Sequence, residues 1–137
     1  MAELTRSDRS AHTKIYGLNL RQIMAGIRKK ERWSAKRARD AEHWYKNFLW
    51  MCYLNRKRPV AALGRDADLV WHSHILNTER YQKDCKTIFG GYLNHRPLIG
   101  KRTKKDQEAI EETMGEAYEL FGSLPVGFAL MMAPCMK

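Results

Sequence analysis

Three of the five histidines of this 137-residue chain lie between residues 66 and 97, among acidic side chains and one cysteine. Asp68, His72, His74 and His95 offer the carboxylate and imidazole groups that bind zinc and iron in proteins. We therefore interpret this segment as a candidate metal centre. The expected ion is a divalent transition metal, zinc or iron.

The spacing of these residues restricts which of them can bind the same ion. Asp68 and His72 are four residues apart, so on a helix they share a face, where the carboxylate can orient the imidazole. His72 and His74 point about 200° away from each other on a helix, so they bind one ion only if the helix begins or breaks there. A site at His72 therefore needs a ligand from another segment, such as His95 or the connection 55–66.

Cys85 and His95 form a second possible centre, with Tyr81 as a further candidate catalytic residue. Five positions separate Gly90 from His95, so the loop could fold back and bring the imidazole to the thiol, as a thiol enzyme requires. The same spacing is compatible with a buried structural cysteine and a histidine that anchors the loop. His74 falls on the apolar stripe of its predicted helix, where a hydrogen-bonded core histidine and a metal ligand both remain open.

Common catalytic motifs are absent from the chain, which has no glycine-rich phosphate loop, no Gly-x-Ser-x-Gly and no His-Glu-x-x-His. Three cysteines without Cys-x-x-Cys spacing predict reduced thiols rather than a disulfide framework or a zinc finger. These absences argue against the usual nucleotide-binding, serine-hydrolase and metalloprotease classes. Whether the protein is an enzyme stays open.

The net charge of +10 lies entirely in the N-terminal part, where residues 1–60 carry 15 Lys or Arg against 5 Asp or Glu. Such a surface attracts nucleic acid phosphates or an acidic protein. The candidate polyanion-binding residues are Arg28, Lys29, Lys30, Arg32, Lys36 and Arg37. The alternative function is therefore a nucleic-acid or protein-binding adaptor in which the histidine and cysteine motif is structural, although many basic helices are merely solvated.

Hydrophobic periodicity predicts that α-helices position these residues. Capping residues and periodicity together predict about four helices. These are a helix over 18–32, a second capped by Ser34 and ending at Asn55, a third over 66–89 capped by Asp66, and a fourth begun by a capping box of Thr103 and Asp106.

The predicted fold is a single all-α domain, 1–137, in which the second and third helices form a central pair and the fourth covers them. Residues 1–14 are expected to be a loose basic arm, and 123–137 an apolar tail that packs over the core. The chain has neither an apolar run long enough to span a membrane nor a secretory signal, which predicts a cytoplasmic protein.

The segment from about residue 44 to residue 121 resembles a known family. The resemblance rests on the run Asp68-Leu69-Val70-Trp71-His72-Ser73-His74-Ile75-Leu76, preceded by Trp44-Tyr45-Lys46-Asn47-Phe48-Leu49 and followed by Thr78, Tyr81, Asp84-Cys85, Phe89-Gly90 and His95-Arg96-Pro97. These motifs resemble those of small bacterial proteins similar to the N-terminal region of plant glycine-rich domain-containing proteins, a group labelled as a domain of unknown function. The resemblance implies an α-helical domain and brings no established mechanism.

Overall fold

The computed structural model describes residues 3–56, 58–95 and 102–125, and all regular structure within these ranges is helical. Six helices follow one another: α1 (Arg6–Tyr16), α2 (Arg21–Glu31), α3 (Ala35–Leu54), α4 (Arg65–Leu76), α5 (Thr78–Phe89) and α6 (Lys104–Phe121). The predicted all-α class is confirmed, whereas the predicted number of about four helices was too low. None of these helices is long and apolar enough to cross a membrane.

The N-terminal segment, predicted to be a loose arm over residues 1–14, instead contains helix α1. A capping box starts this helix, since the Thr5 hydroxyl accepts from the Asp8 N–H at 3.0 Å and the Asp8 carboxylate accepts from the Thr5 N–H at 2.9 Å. Ala11 and Ile15 are the buried residues of α1. The arm prediction was wrong because two buried positions in a polar segment make a hydrophobic stripe too sparse to recognise.

The helix predicted over residues 66–89 is two helices, α4 and α5, which meet at Asn77. This residue has φ −87° and ψ 70° and serves as the C-cap of α4 and the N-cap of α5. Asn is a weaker helix former than most residues, and its side chain makes no capping hydrogen bond to α5 here. The predicted N-cap was also wrong, because Gly64 occupies that position and Asp66 lies in the first turn of α4.

The core is centred on α3, whose residues 45–53 are all buried. The helix begins as predicted at Ser34, whose hydroxyl accepts a hydrogen bond from the Arg37 N–H at 3.1 Å. Helix α4 packs most extensively against α3, while α1 contacts α3 and α5, and α2 contacts α3 and α4. Much of the cover that the prediction assigned to the last helix is therefore provided by α1 and α2.

Helix α6 begins at the predicted capping box, in which Thr103 and Asp106 exchange hydrogen bonds of 2.9 and 3.1 Å between side chain and backbone. The hydroxyl of Thr113 accepts from the Ala61 N–H at 3.0 Å, which attaches α6 to the connection between α3 and α4. The predicted packing tail, 123–137, is described only through its first three residues, and the others lie outside the described part of the chain.

Candidate metal centre

Asp68, His72 and His95 converge beside α4. The Nε2 atoms of His72 and His95 are 2.7 Å apart, one Asp68 oxygen lies 3.3 Å from His95 Nε2, and the other lies 3.5 Å from His72 Nε2. One ligand atom from each residue lies within 4.8 Å of the others. In tetrahedral geometry, zinc–nitrogen bonds of about 2.0–2.1 Å separate two nitrogens by roughly 3.3 Å, so a small rotation of the rings would admit an ion.

Helix α4 supplies two of the three side chains because Asp68 and His72 lie one turn apart on the same face. The helix starts at Gly64, whose φ of 103° lies in a region that L side chains rarely adopt. Asp66 lies in the first turn of α4, and its carboxylate accepts two hydrogen bonds of 2.8 and 3.0 Å from Arg37 of α3. These contacts hold the start of α4 just before the position of Asp68.

A chain of hydrogen bonds holds the segment that carries the third side chain, His95. Helix α5 ends at Gly90 with φ 76°, and the chain then turns back. Trp71 Nε1 donates to the Tyr81 hydroxyl at 2.9 Å, and this hydroxyl donates to the Leu93 carbonyl at 2.5 Å. Burial raises the pKa of Tyr81 far above its usual value, so the phenol stays protonated and remains a donor. The centroids of the His95 and Trp71 rings are 4.3 Å apart.

His74 was a predicted candidate ligand, but the structure does not bring it to this cluster. Its side chain is buried, with Nδ1 2.7 Å from the Tyr45 hydroxyl and Nε2 2.8 Å from an Asp84 oxygen. Burial lowers the pKa of His74, and the hydrogen bond to Asp84 opposes this shift. A neutral ring protonated at Nε2 satisfies both contacts. His74 therefore joins α3, α4 and α5, as a hydrogen-bonded core histidine would.

Cys85 and His95, the predicted thiol centre, have different partners. Cys85 is buried, and burial raises the pKa of its thiol. Hydrogen bonds with the Leu93 backbone and the Tyr81 hydroxyl oppose this shift without reversing it. An activated nucleophile needs the opposite shift, because the thiolate is the reactive form. The two side chains, both in the described part of the chain, form no hydrogen bond with each other. Tyr81, also a candidate catalytic residue, is buried with its hydroxyl engaged.

The three clustered side chains line a cleft of about 1080 Å³. Its apolar walls include Phe48, Val60, Trp71, Phe89, Leu93 and Ile110. Its basic residues are Arg56, Arg58, Arg65, Arg102 and Lys105. This volume slightly exceeds the usual range for small-molecule sites, which extends to about 1,000 Å³. The cleft was not predicted from the sequence, because its walls come from three separate stretches of the chain, within 48–72, 89–95 and 102–110.

The predicted polyanion-binding residues form two groups. One group is exposed in the last turn of α2 and at its C-cap, and consists of Arg28, Lys29, Lys30 and Arg32. The other group lies in the first turn of α3, where Lys36 binds Asp40 and Arg37 binds Asp66. The Arg37 guanidinium also lies 4.8 Å from the Trp33 ring centroid. Within the described residues, only the first group forms no ion pair.

The fold and the cluster define an all-helical protein with two imidazoles and one carboxylate beside a cleft. The family model described as UCP032817-like matches residues 9–119, and the chain belongs to this family. It is also similar to two proteins of Arabidopsis thaliana, Glycine-rich domain-containing protein 1 and Glycine-rich domain-containing protein 2, each 30% identical over 95 residues. The predicted resemblance is therefore confirmed.

The similarity to the two plant proteins covers 61% of this chain but 12% of each of them. The chain therefore spans a small part of the length of these relatives. No solved structure matches the chain significantly.

Proposed function

We propose that this protein is a small cytoplasmic metal-binding protein that holds one zinc or iron ion through Asp68, His72 and His95. The supporting observation is that three ligand atoms from two separate segments lie within 4.8 Å of one another. Some zinc enzymes bind their ion with two histidines and one carboxylate, and non-haem iron(II) oxygenases use the same set of side chains.

Among the described residues, the number of ligands is three, which favours a reactive site over a structural one. Three protein ligands leave at least one coordination position for water or substrate, whereas structural zinc sites are closed by four protein ligands. All three side chains line the cleft, so a small molecule in the cleft would reach that position. We extend the proposal on this basis to a metalloenzyme, in which the ion would activate a bound water or polarise a substrate.

The test is the metal content and metal-dependent stability of the purified protein. Elemental analysis of protein prepared without chelator should find zinc or iron near one equivalent. Chelator-treated protein should then melt at a higher temperature when zinc or iron(II) is added, because a ligand at about 100 times its Kd stabilises the fold by about 2.7 kcal/mol.

The variants His72→Ala and His95→Ala should lose both the metal and the shift in melting temperature. His43→Ala is the matched control, because His43 is an exposed histidine outside the cluster. Absence of near-stoichiometric metal, together with an unchanged melting temperature in every metal titration, would reject the proposal.

The alternative proposal is an adaptor that binds nucleic acid or an acidic protein. It is supported by the four exposed cations at the end of α2, which form no ion pair within the described residues. In this alternative, Asp68, His72 and His95 only stabilise the loop after α5. The test of this alternative is the affinity of the charge-reversal double variant Lys29→Glu/Lys30→Glu for polyanions.

A further inference from the structure

Arg65 extends the stripe of α4 that carries two of the proposed metal ligands. It precedes Asp68 by three residues and His72 by seven, so the three side chains follow one face of the helix. At a rise of about 1.5 Å per residue, Arg65 and Asp68 are separated by about 4.5 Å along the helix axis. All three residues line the same cleft.

No carboxylate in the part of the chain that the structure describes lies within ion-pair distance of the Arg65 guanidinium. Its side chain is exposed and forms no ion pair there. By contrast, Arg58 of the same cleft binds Glu112 and Glu116 of α6. Arg65 is therefore a cation of the cleft that remains free, within these residues, to bind an anion.

The walls of the cleft indicate what kind of anion would fit. Trp71 and Leu93 are among the apolar residues that line the cleft, and Trp71 lies against the His95 ring. A guanidinium binds a planar carboxylate through two parallel hydrogen bonds. Apolar walls favour a ligand whose remaining part is hydrocarbon, because burying that part removes apolar surface from water.

We propose that the cleft binds a small organic carboxylate with an apolar body. Its carboxylate would bind Arg65, and its body would lie against Trp71 and Leu93, next to Asp68, His72 and His95. As a substrate class this inference rests on the proposed metal function, whereas the binding itself requires only Arg65 and the apolar walls.

The test is calorimetric titration with octanoate, with octanamide as its uncharged analogue and inorganic phosphate as an anion without an apolar body. Both chelator-treated and zinc-loaded protein are titrated. Octanoate should bind to both forms, and octanamide and phosphate should each bind at least about tenfold more weakly.

The variant Arg65→Gln should lose about tenfold in affinity for octanoate and keep its affinity for octanamide. Arg39→Gln is the matched control, because Arg39 is an exposed arginine of α3 that does not line the cleft. Circular dichroism and melting temperature should be unchanged in both variants, so that a change in affinity reports the contact rather than the fold.

The outcomes separate this inference from the metal proposal. Octanoate binding that depends on Arg65, in a protein that binds no metal, would uphold the carboxylate site and reject the metal centre. Near-stoichiometric zinc in a protein that does not bind octanoate would uphold the metal centre and reject the carboxylate site. Equal affinities for octanoate and octanamide, or equal effects of Arg65→Gln and Arg39→Gln, would overturn the carboxylate site.

Discussion

The hydroxyl of Tyr81 donates a 2.5 Å hydrogen bond to the carbonyl oxygen of Leu93, two residues before His95. The same hydroxyl accepts from Trp71 Nε1 at 2.9 Å. A residue of α5 thus connects α4, which carries Asp68 and His72, to the loop that carries the third clustered side chain. A buried phenol that is not itself a proposed ligand therefore anchors the loop that carries His95.

Replacing Tyr81 with Phe should weaken metal binding. The change leaves the Leu93 carbonyl and the Trp71 N–H without their partner, which costs about 1–3 kcal/mol of folding free energy for each buried group left unpaired. It also releases the loop, and the loss of such supporting contacts lowers metal affinity by about 10–100-fold. Competition with a chromophoric chelator measures the Kd for zinc, and urea unfolding measures the stability.

Tyr118→Phe is the control for this experiment, because Tyr118 is 60% exposed. Unchanged zinc affinity in a folded Tyr81→Phe protein would show that His95 is positioned without this hydrogen bond.

Replacing His74 with Ala should destabilise the fold without removing the metal. The Tyr45 hydroxyl and the Asp84 carboxylate would lose their shared partner, and a cavity would form between α3, α4 and α5. We expect a loss of about 2–4 kcal/mol in the free energy of unfolding, measured in urea. His43→Ala should change it by less than about 0.5 kcal/mol, as exposed positions usually do. Loss of metal from folded His74→Ala protein would place His74 among the ligands.

The raised pKa of Cys85 predicts slow alkylation at neutral pH. Burial disfavours the thiolate, so the rate with iodoacetamide at pH 7 should be at least about tenfold below that of a free thiol and should rise with pH. The folded state binds the thiol proton more tightly than the unfolded state. Cys85 therefore contributes stability below the unfolded thiol pKa that is lost as the pH rises above it.

Peptide mass spectrometry after timed labelling would measure the rate at Cys85 separately from the other two cysteines. Rapid labelling at neutral pH would favour the remaining functional alternative, a thiol enzyme using Cys85 and His95.

Reversing charge at the end of α2 should reduce polyanion binding if the adaptor proposal is correct. The double variant Lys29→Glu/Lys30→Glu should bind heparin or single-stranded DNA more weakly, with a salt slope smaller by about 2. Deleting the N-terminal helices would be a poor test, because both contribute buried residues to the core. Binding is measured at several salt concentrations.

The control is Lys83→Glu/Lys86→Glu, which changes the net charge equally on the exposed surface of α5. If both double variants weaken binding equally, the effect comes from net charge, and the α2 surface is not a specific site.

The sequence by itself determined the features that depend on neighbouring residues. Helix α3 with its Ser34 cap, and the capping box of Thr103 and Asp106, follow from the chemistry of residues within one turn. The shared face of Asp68 and His72 follows from helix geometry alone. The same local reasoning failed at Asn77, because a residue that favours helix ends also occurs inside helices. Only the packing of α5 against α4 decides whether the helix continues through Asn77 or breaks there.

The tertiary structure alone decided which distant residues meet. His95 reaches His72 across 23 positions because Gly90 reverses the chain and Tyr81 holds the returning loop. His74, only two positions from His72, faces the opposite way into the core. Periodicity predicts which face of a helix a residue occupies, but the partner on that face depends on how helices pack and where loops fold back. The composition of the candidate centre is for this reason a property of the folded chain.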